Sequence, residues 1–185
     1  MKLLSVFALS LVYAAQRYLV FGTVAIANLP CFVVNKAAAL GSILALTLAA
    51  YNARKGRVSE HQNWFSTFKA LLFLHIMLSL FLFSADYYPK MFTSGKMNLF
   101  GELFMFFGVV AVCLLLYRTI VRDASVKVEL LQALSLAAIA LHNLFLGVGN
   151  WGKWQDWPGH MPPITMISFI LPLIALAFQF TSRKA

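Results

Sequence analysis

Two histidines lie inside long apolar segments of this sequence, and they are the side chains there best suited to chemistry. His75 lies within FKALLFLHIMLSLFLF, and His142 lies within LLQALSLAAIALHNLFLG. A neutral imidazole nitrogen binds metal ions and is a common axial ligand of haem iron. Because an ionisable side chain is costly in hydrocarbon, such residues commonly line a pathway or bind a ligand. The pair therefore predicts a metal or cofactor site inside a membrane.

Two other interpretations of these histidines stay open at the level of the residues. A histidine inside a membrane can hydrogen-bond a backbone carbonyl or a serine on a neighbouring helix. It can also belong to a path for protons or for a substrate. We favour ligation over both.

The composition indicates an integral membrane protein in contact with lipid. Hydrophobic residues make up 61% of the 185 residues, and charged residues make up only 11%. Soluble domains carry about 25% charged residues. The net charge of +9 does not indicate a nucleic-acid partner, since Lys and Arg collect in the loops of membrane proteins. The two cysteines, Cys31 and Cys113, form no CxxC or other metal-ligand pattern.

Six apolar segments predict an all-α fold, a bundle of six transmembrane helices that forms a single domain over 1–185. Each segment is close to the about 20 residues that a bilayer requires. The first could instead be a signal peptide, but Tyr13 is unsuited to a cleavage site and the apolar character continues beyond it. The predicted spans are 3–22, 35–52, 64–86, 97–118, 128–149 and 163–181.

Local signals predict where several of these helices begin and end. Pro30 is expected to end the first helix, because proline disfavours helical backbone in the residue before it. Ser59 and Gln62 have the spacing of a capping box at the start of span three. The glycine-containing run 147–150 is expected to end span five.

The distribution of Lys and Arg predicts the orientation. With six spans, the termini and the loops after spans two and four share one side, and that side holds most of the basic residues. This predicts a protein of a cell inner membrane or plasma membrane with both termini on the cytoplasmic side. The tryptophan-rich loop that begins at Trp151 then faces outward. The residues on the cytoplasmic side are Lys2, Arg54, Lys55, Arg57, Lys69, Arg118, Arg122, Lys127, Arg183 and Lys184.

The two histidines have matching depths in the predicted bundle. His75 lies eleven residues before Asp86, and His142 lies nine residues before Trp151. At about 1.5 Å per residue the rings differ in depth by roughly 3 Å. Spans three and five run in the same direction, so the two imidazoles can approach one iron from opposite sides.

Small and apolar residues are predicted to share the helix faces of the two histidines and to form walls for a flat macrocycle. These residues are Phe68, Leu71, Leu78 and Ser79 for His75, and Ser135, Ala138 and Phe145 for His142.

The other two histidines are not predicted to be ligands. His61 precedes His75 by fourteen residues, which places both on one helix face about 21 Å apart. A second haem there would need a partner near position 128, where Val128 and Glu129 supply none. We therefore interpret His61 as a loop or helix-cap residue and His160 as part of the loop surface.

The chain resembles the ferric reductase-like transmembrane domain family of six-helix haem b proteins. The likeness rests on the two histidine segments quoted above and on WGKWQDWPGHMPPI, the loop before span six, and it covers 35–180. The resemblance implies electron transfer across the membrane through haem held between spans three and five. His75 and His142 are the positions that inherit the role of axial ligands.

The chain also departs from that family. Many members hold two haems with four histidines, and many carry flavin and nicotinamide domains. Here each ligand helix has one intramembrane histidine, and no Rossmann fingerprint is present, because the G-x-G-x-x-G spacing of 147–152 follows an apolar transmembrane segment and not a strand. We therefore expect one haem b, with electrons supplied by a quinol or a separate protein, as in the haem subunit of a bacterial periplasmic methionine sulfoxide reductase. The chain could thus be the membrane electron-transfer component of an oxidoreductase.

Basic residues on the outer side could contact haem propionates or attract an anionic acceptor such as a ferric chelate. We prefer to interpret them as solvated loop charges. Lys153 and Trp151 are the better candidates in the outer loop, because they directly follow the helix of His142. The basic residues concerned are Arg17, Lys36, Lys90, Lys96 and Lys153.

The alternative to a haem protein is a cofactor-free membrane protein, either a small transporter subunit or a structural partner of a larger membrane complex. Its polar intramembrane residues would then be contacts between helices or along a path. Those residues are His142, Asn143, Glu102 and Asp86.

Overall fold

The computed structural model describes residues 1–22, 29–120 and 128–181, and it confirms an all-α bundle of six helices. All six are long and apolar enough to cross a membrane. The helices are α1 (Lys2–Ala15), which a π-helical segment (Gln16–Val20) continues, α2 (Leu29–Arg54), α3 (Val58–Leu82), α4 (Leu99–Ile120), α5 (Val128–Trp151) and α6 (Ile164–Thr181). Two short antiparallel strands, β1 (Phe92–Thr93) and β2 (Lys96–Met97), lie between α3 and α4.

Helix α2 is the centre of the bundle. It packs against α1, α3 and α6, while α5 lies between α4 and α6. Ala37, Ala38 and Ala45 of α2 are completely buried. Small side chains let membrane helices approach closely, so the alanine-rich sequence of α2 explains why three neighbours can surround it.

Helix α3 packs chiefly on α2. Within the described parts of the chain, α3 makes no extensive contact with α4 or α5. The bundle is therefore an arc of helices in the order α3, α2, α6, α5 and α4. The space enclosed between the two ends of this arc holds the candidate site.

Several helix ends differ from their predicted positions. Pro30, expected to end the first helix, lies in the first turn of α2, where a missing N–H costs no helical hydrogen bond. The capping-box prediction is wrong, because α3 begins at Val58, so Ser59 lies within the helix, and no side chain caps its start. Helix α5 continues through the glycine-containing run to Trp151, since glycine lowers helix stability without preventing helix formation.

The two ends of the bundle carry different segments of the chain. The end that carries the long connections 83–98 and 152–163 is called the loop end, and the end that carries Lys2 and the short connection 55–57 is called the terminal end. At the terminal end Lys2 forms an ion pair with Glu60, and its ammonium lies over the Trp64 ring. Four of the basic residues that predict the orientation lie outside the described residues: Arg122, Lys127, Arg183 and Lys184.

Replacing Gly41 by leucine should destabilise the bundle. A Cβ at this position would lie 3.1 Å from a Leu71 methyl and 3.2 Å from Ser10 Oγ, so a larger side chain would separate α2 from α3 and α1. We expect Gly41→Leu to lower the free energy of unfolding in detergent micelles by about 1–3 kcal/mol. The control is Gly149→Leu, because a Cβ there meets no atom within 4 Å. Equal effects of the two substitutions would contradict the close packing of α2.

Candidate cofactor site

A cavity of about 290 Å³ lies between α2, α3, α4, α5 and α6. Both predicted ligands, His75 from α3 and His142 from α5, line this cavity. Most of the remaining wall is apolar, as in ligand sites generally, where a few polar groups orient the ligand. The tertiary structure thus brings together two residues that are far apart in the sequence.

His75 is held by the central helix. Its Nδ1 lies 2.7 Å from Asn35 Oδ1 and 3.3 Å from Ser79 Oγ. Asn35 is fully buried, and its Nδ2 donates to the Tyr88 hydroxyl at 3.5 Å. With Asn35 oriented in this way, its Oδ1 can only accept, so the hydrogen of the neutral imidazole is assigned to His75 Nδ1. The lone pair of His75 then lies on Nε2.

His142 is held by helix α4. Its Nδ1 lies 2.9 Å from the Phe104 carbonyl oxygen, so this nitrogen carries the hydrogen and donates it. The Phe104 ring stacks on the imidazole, with 4.2 Å between ring centroids and an angle of 30°. A Cβ at Gly108 would lie 2.8 Å from His142 Nδ1, so this position must be glycine for the ring to keep its place.

Both imidazoles are therefore in the same tautomer, with Nδ1 hydrogen-bonded and Nε2 available as a ligand. Histidines that bind metals usually have this arrangement, in which an oxygen acceptor fixes the tautomer and the ring orientation. Over the described residues, no group of three or more His, Cys, Asp or Glu side chains could hold a metal ion. Two imidazole Nε2 atoms match in number the two axial positions of a haem iron, whose other ligands come from the macrocycle.

The cavity walls differ in part from the predicted helix faces. On α3, Phe68 and Ser79 line the cavity as predicted, whereas Leu71 and Leu78 do not. On α5 the cavity is lined by Ile139, Asn143 and Leu146 beside His142, and by none of the predicted residues. The predicted α5 residues have other contacts: Ser135 donates to the Leu131 carbonyl, Ala138 packs in the core, and Phe145 stacks on Phe107.

Sequence reasoning did not identify the residues that position the histidines. Asn35, Phe104 and Gly108 lie on α2 and α4, far in sequence from the histidines that they contact. Asn35 had one signal, since a buried asparagine in an apolar helix needs a partner. The contact of Phe104 is made by its backbone carbonyl, which carries no sequence signal.

The remaining histidines lie away from the cavity. His61 is in the first turn of α3, and its Nδ1 lies 3.0 Å from the Ala49 carbonyl oxygen at the terminal end. His160 is exposed in the loop, with a φ of 55°. Neither lines the cavity that holds His75 and His142.

A second chamber of about 390 Å³ adjoins the first at the loop end. Three of the predicted basic residues, Arg17, Lys36 and Lys153, line this chamber, and Lys36 lines both spaces. Lys90 and Lys96 line neither, and Lys90 donates to Asn150 Oδ1. Arg17 and Lys36 are buried, so the interpretation of these two as solvated loop charges is wrong.

Comparisons of the chain with protein-family models, with curated proteins and with solved structures found no match.

The Asn35–His75 hydrogen bond should give a measurable coupling free energy between the two side chains in a double-mutant cycle. In a double-mutant cycle of Asn35→Leu and His75→Leu, each single change removes the 2.7 Å hydrogen bond and leaves the bonding atom of the other side chain with only a 3.3 Å contact to Ser79 Oγ. We expect a coupling of about 1 kcal/mol in the free energy of unfolding.

The matched control cycle pairs His75→Leu with Asn143→Leu. Asn143 also lines the cavity, but its Nδ2 donates to the Ile139 carbonyl of its own helix at 2.9 Å. The control pair should be additive. Additivity in the Asn35 cycle as well would show that this hydrogen bond does not stabilise the bundle.

Proposed function

We propose that this chain is a membrane haem b protein that passes electrons across the membrane. One haem would lie between α3 and α5, with His75 and His142 as its axial ligands. The observation that carries this proposal is that both histidines line one apolar cavity and are held through Nδ1. Such a pair supplies two imidazole Nε2 atoms and few other polar groups.

Each part of the site has a definite task in this proposal. Asn35 and the Phe104 carbonyl hold the histidine protons on Nδ1, and Gly108 leaves room for the His142 ring. The apolar side chains exclude water and keep the local dielectric low, which affects the reduction potential of a haem. Bound haem would supply one-electron chemistry between ferric and ferrous iron.

The ferric reductase-like resemblance supports this proposal through its two histidine segments and its tryptophan-rich loop. Electrons would come from a quinol or a separate protein. A ferric chelate or a partner protein would accept them.

A cofactor-free membrane protein is the second candidate, and a specific observation favours it. The same hydrogen bonds join α3 to α2 and α5 to α4, as expected for histidines that only hold helices together. In that case the cavity would serve a transported solute or a partner in a larger complex.

The haem proposal is tested by a reduced-minus-oxidised spectrum of the purified protein after expression with haem supplied. We expect a Soret and an α band. His75→Ala and His142→Ala should each remove the bis-histidine spectrum, because each takes away one axial ligand. His61→Ala and His160→Ala are the matched controls and should leave the spectrum unchanged.

Gly108→Ala adds a test of how His142 is positioned. The added methyl must displace the His142 ring, so this variant should bind haem more weakly while retaining both histidines. Absence of both bands from the wild-type protein would exclude the haem proposal and leave the cofactor-free alternative. A bis-histidine spectrum in the His142→Ala variant would show that another residue is the ligand.

We also propose that both termini lie in the cytoplasm, in a cell inner or plasma membrane. The basic residues at the terminal end support this orientation through the positive-inside rule. A fluorescent reporter that folds only in the cytoplasm should fluoresce when fused after residue 185, and alkaline phosphatase there should be inactive. The reverse result would invert the orientation.

A further inference from the structure

The second chamber is unusual because two of its cationic side chains are almost completely buried. Arg17 is 7% exposed and Lys36 is 8% exposed. Lys153 and Asp156 also line the chamber, so its wall has a formal charge of +2. Burying cations without counter-ions is unfavourable, especially in a bundle surrounded by hydrocarbon.

Arg17 has unused hydrogen-bonding capacity in this chamber. It lies in the π-helical segment, and one of its terminal nitrogens donates to the Met161 carbonyl oxygen. In the part of the chain that the structure describes, its buried Nε has no hydrogen-bond partner. A guanidinium group has five N–H donors in a planar fork that matches a carboxylate.

Lys36 is held by aromatic rings. Its Nζ lies 5.0 Å from the centroid of the Phe32 ring and 5.0 Å from that of the Tyr88 ring. Among the described residues, neither Arg17 nor Lys36 forms an ion pair, and the ion pair between Lys2 and Glu60 lies at the other end of the bundle. Asp156 is exposed, so it does not neutralise the two buried cations.

We propose that the chamber binds a dicarboxylate, with Arg17 and Lys36 as its cationic contacts. A dianion would balance the formal charge of the wall, and the guanidinium and ammonium groups would supply charge-assisted hydrogen bonds. The two carboxylates can come from a free small molecule or from the propionates of a haem in the adjoining cavity, because Lys36 lines both spaces. The propionate source rests on the proposed haem site, and the free source does not.

The test of the free source is calorimetric titration of the haem-free protein in detergent with succinate, with the uncharged analogue succinamide as a control. We expect binding of succinate and none of succinamide. Arg17→Gln and Lys36→Gln should each weaken succinate binding at least about tenfold, since hydrogen bonds to charged groups are lost. Lys96→Gln is the matched control, because Lys96 is exposed and lines neither space, and it should bind succinate like the wild type.

The test of the propionate source compares haem with its dimethyl ester, in which both carboxylates are uncharged. If the propionates occupy the chamber, the wild-type protein binds the ester at least about tenfold more weakly than haem. Haem-loaded protein then no longer binds succinate, and Arg17→Gln and Lys36→Gln bind the ester and haem alike.

Either positive result supports the dicarboxylate site and identifies its source. Failure of succinate to bind the haem-free protein, together with equal binding of haem and its ester, would overturn it. The succinate and ester comparisons use the unmodified protein, so a misfolded variant does not affect them. If no haem binds, the proposed function fails, while succinate titration of the haem-free protein still decides whether the chamber is an anion site.

Discussion

The hydrogen bond between His75 and Asn35 connects the central helix α2 to α3, the helix at one end of the arc. Helix α3 is attached chiefly to α2, and the Asn35 side chain reaches from the buried side of α2 to the His75 ring. Both groups are polar and lie in apolar surroundings, where an unpaired group would cost about 1–3 kcal/mol. The bond therefore satisfies the buried Asn35 and the partly buried His75, and it fixes one wall of the cavity.

The corresponding bond on the other wall uses the backbone. The Phe104 carbonyl accepts from His142 Nδ1, the Phe104 ring stacks on the imidazole, and Gly108 leaves the space that the imidazole needs. Helices α2 and α4 thus each hold one histidine of a neighbouring helix. Rings held on two sides lose little conformational freedom when they bind a ligand, which is the advantage of a preorganised site.

The loop end is tied to the first helix. The Tyr13 hydroxyl donates to the Pro162 carbonyl at 2.8 Å, and Arg17 donates to the neighbouring carbonyl of Met161. Across the chamber, Trp157 Nε1 donates to the Asn150 carbonyl at 3.1 Å. These contacts hold the tryptophan-rich loop over the second chamber. The loop, which the sequence predicts on the outer side, forms part of the chamber wall.

The sequence by itself determined the six-helix membrane fold, because apolar segments of about 20 residues in a chain with few charges can hardly form anything else. It also identified His75 and His142, since polar residues are conspicuous in such segments. Only the tertiary structure decided that Asn35, Phe104 and Gly108 position these histidines and that Arg17 and Lys36 are buried. Those facts depend on which faces of the helices meet. In uniformly apolar helices, hydrophobic periodicity does not identify those faces, because lipid and the protein interior are equally apolar surroundings for a leucine side chain.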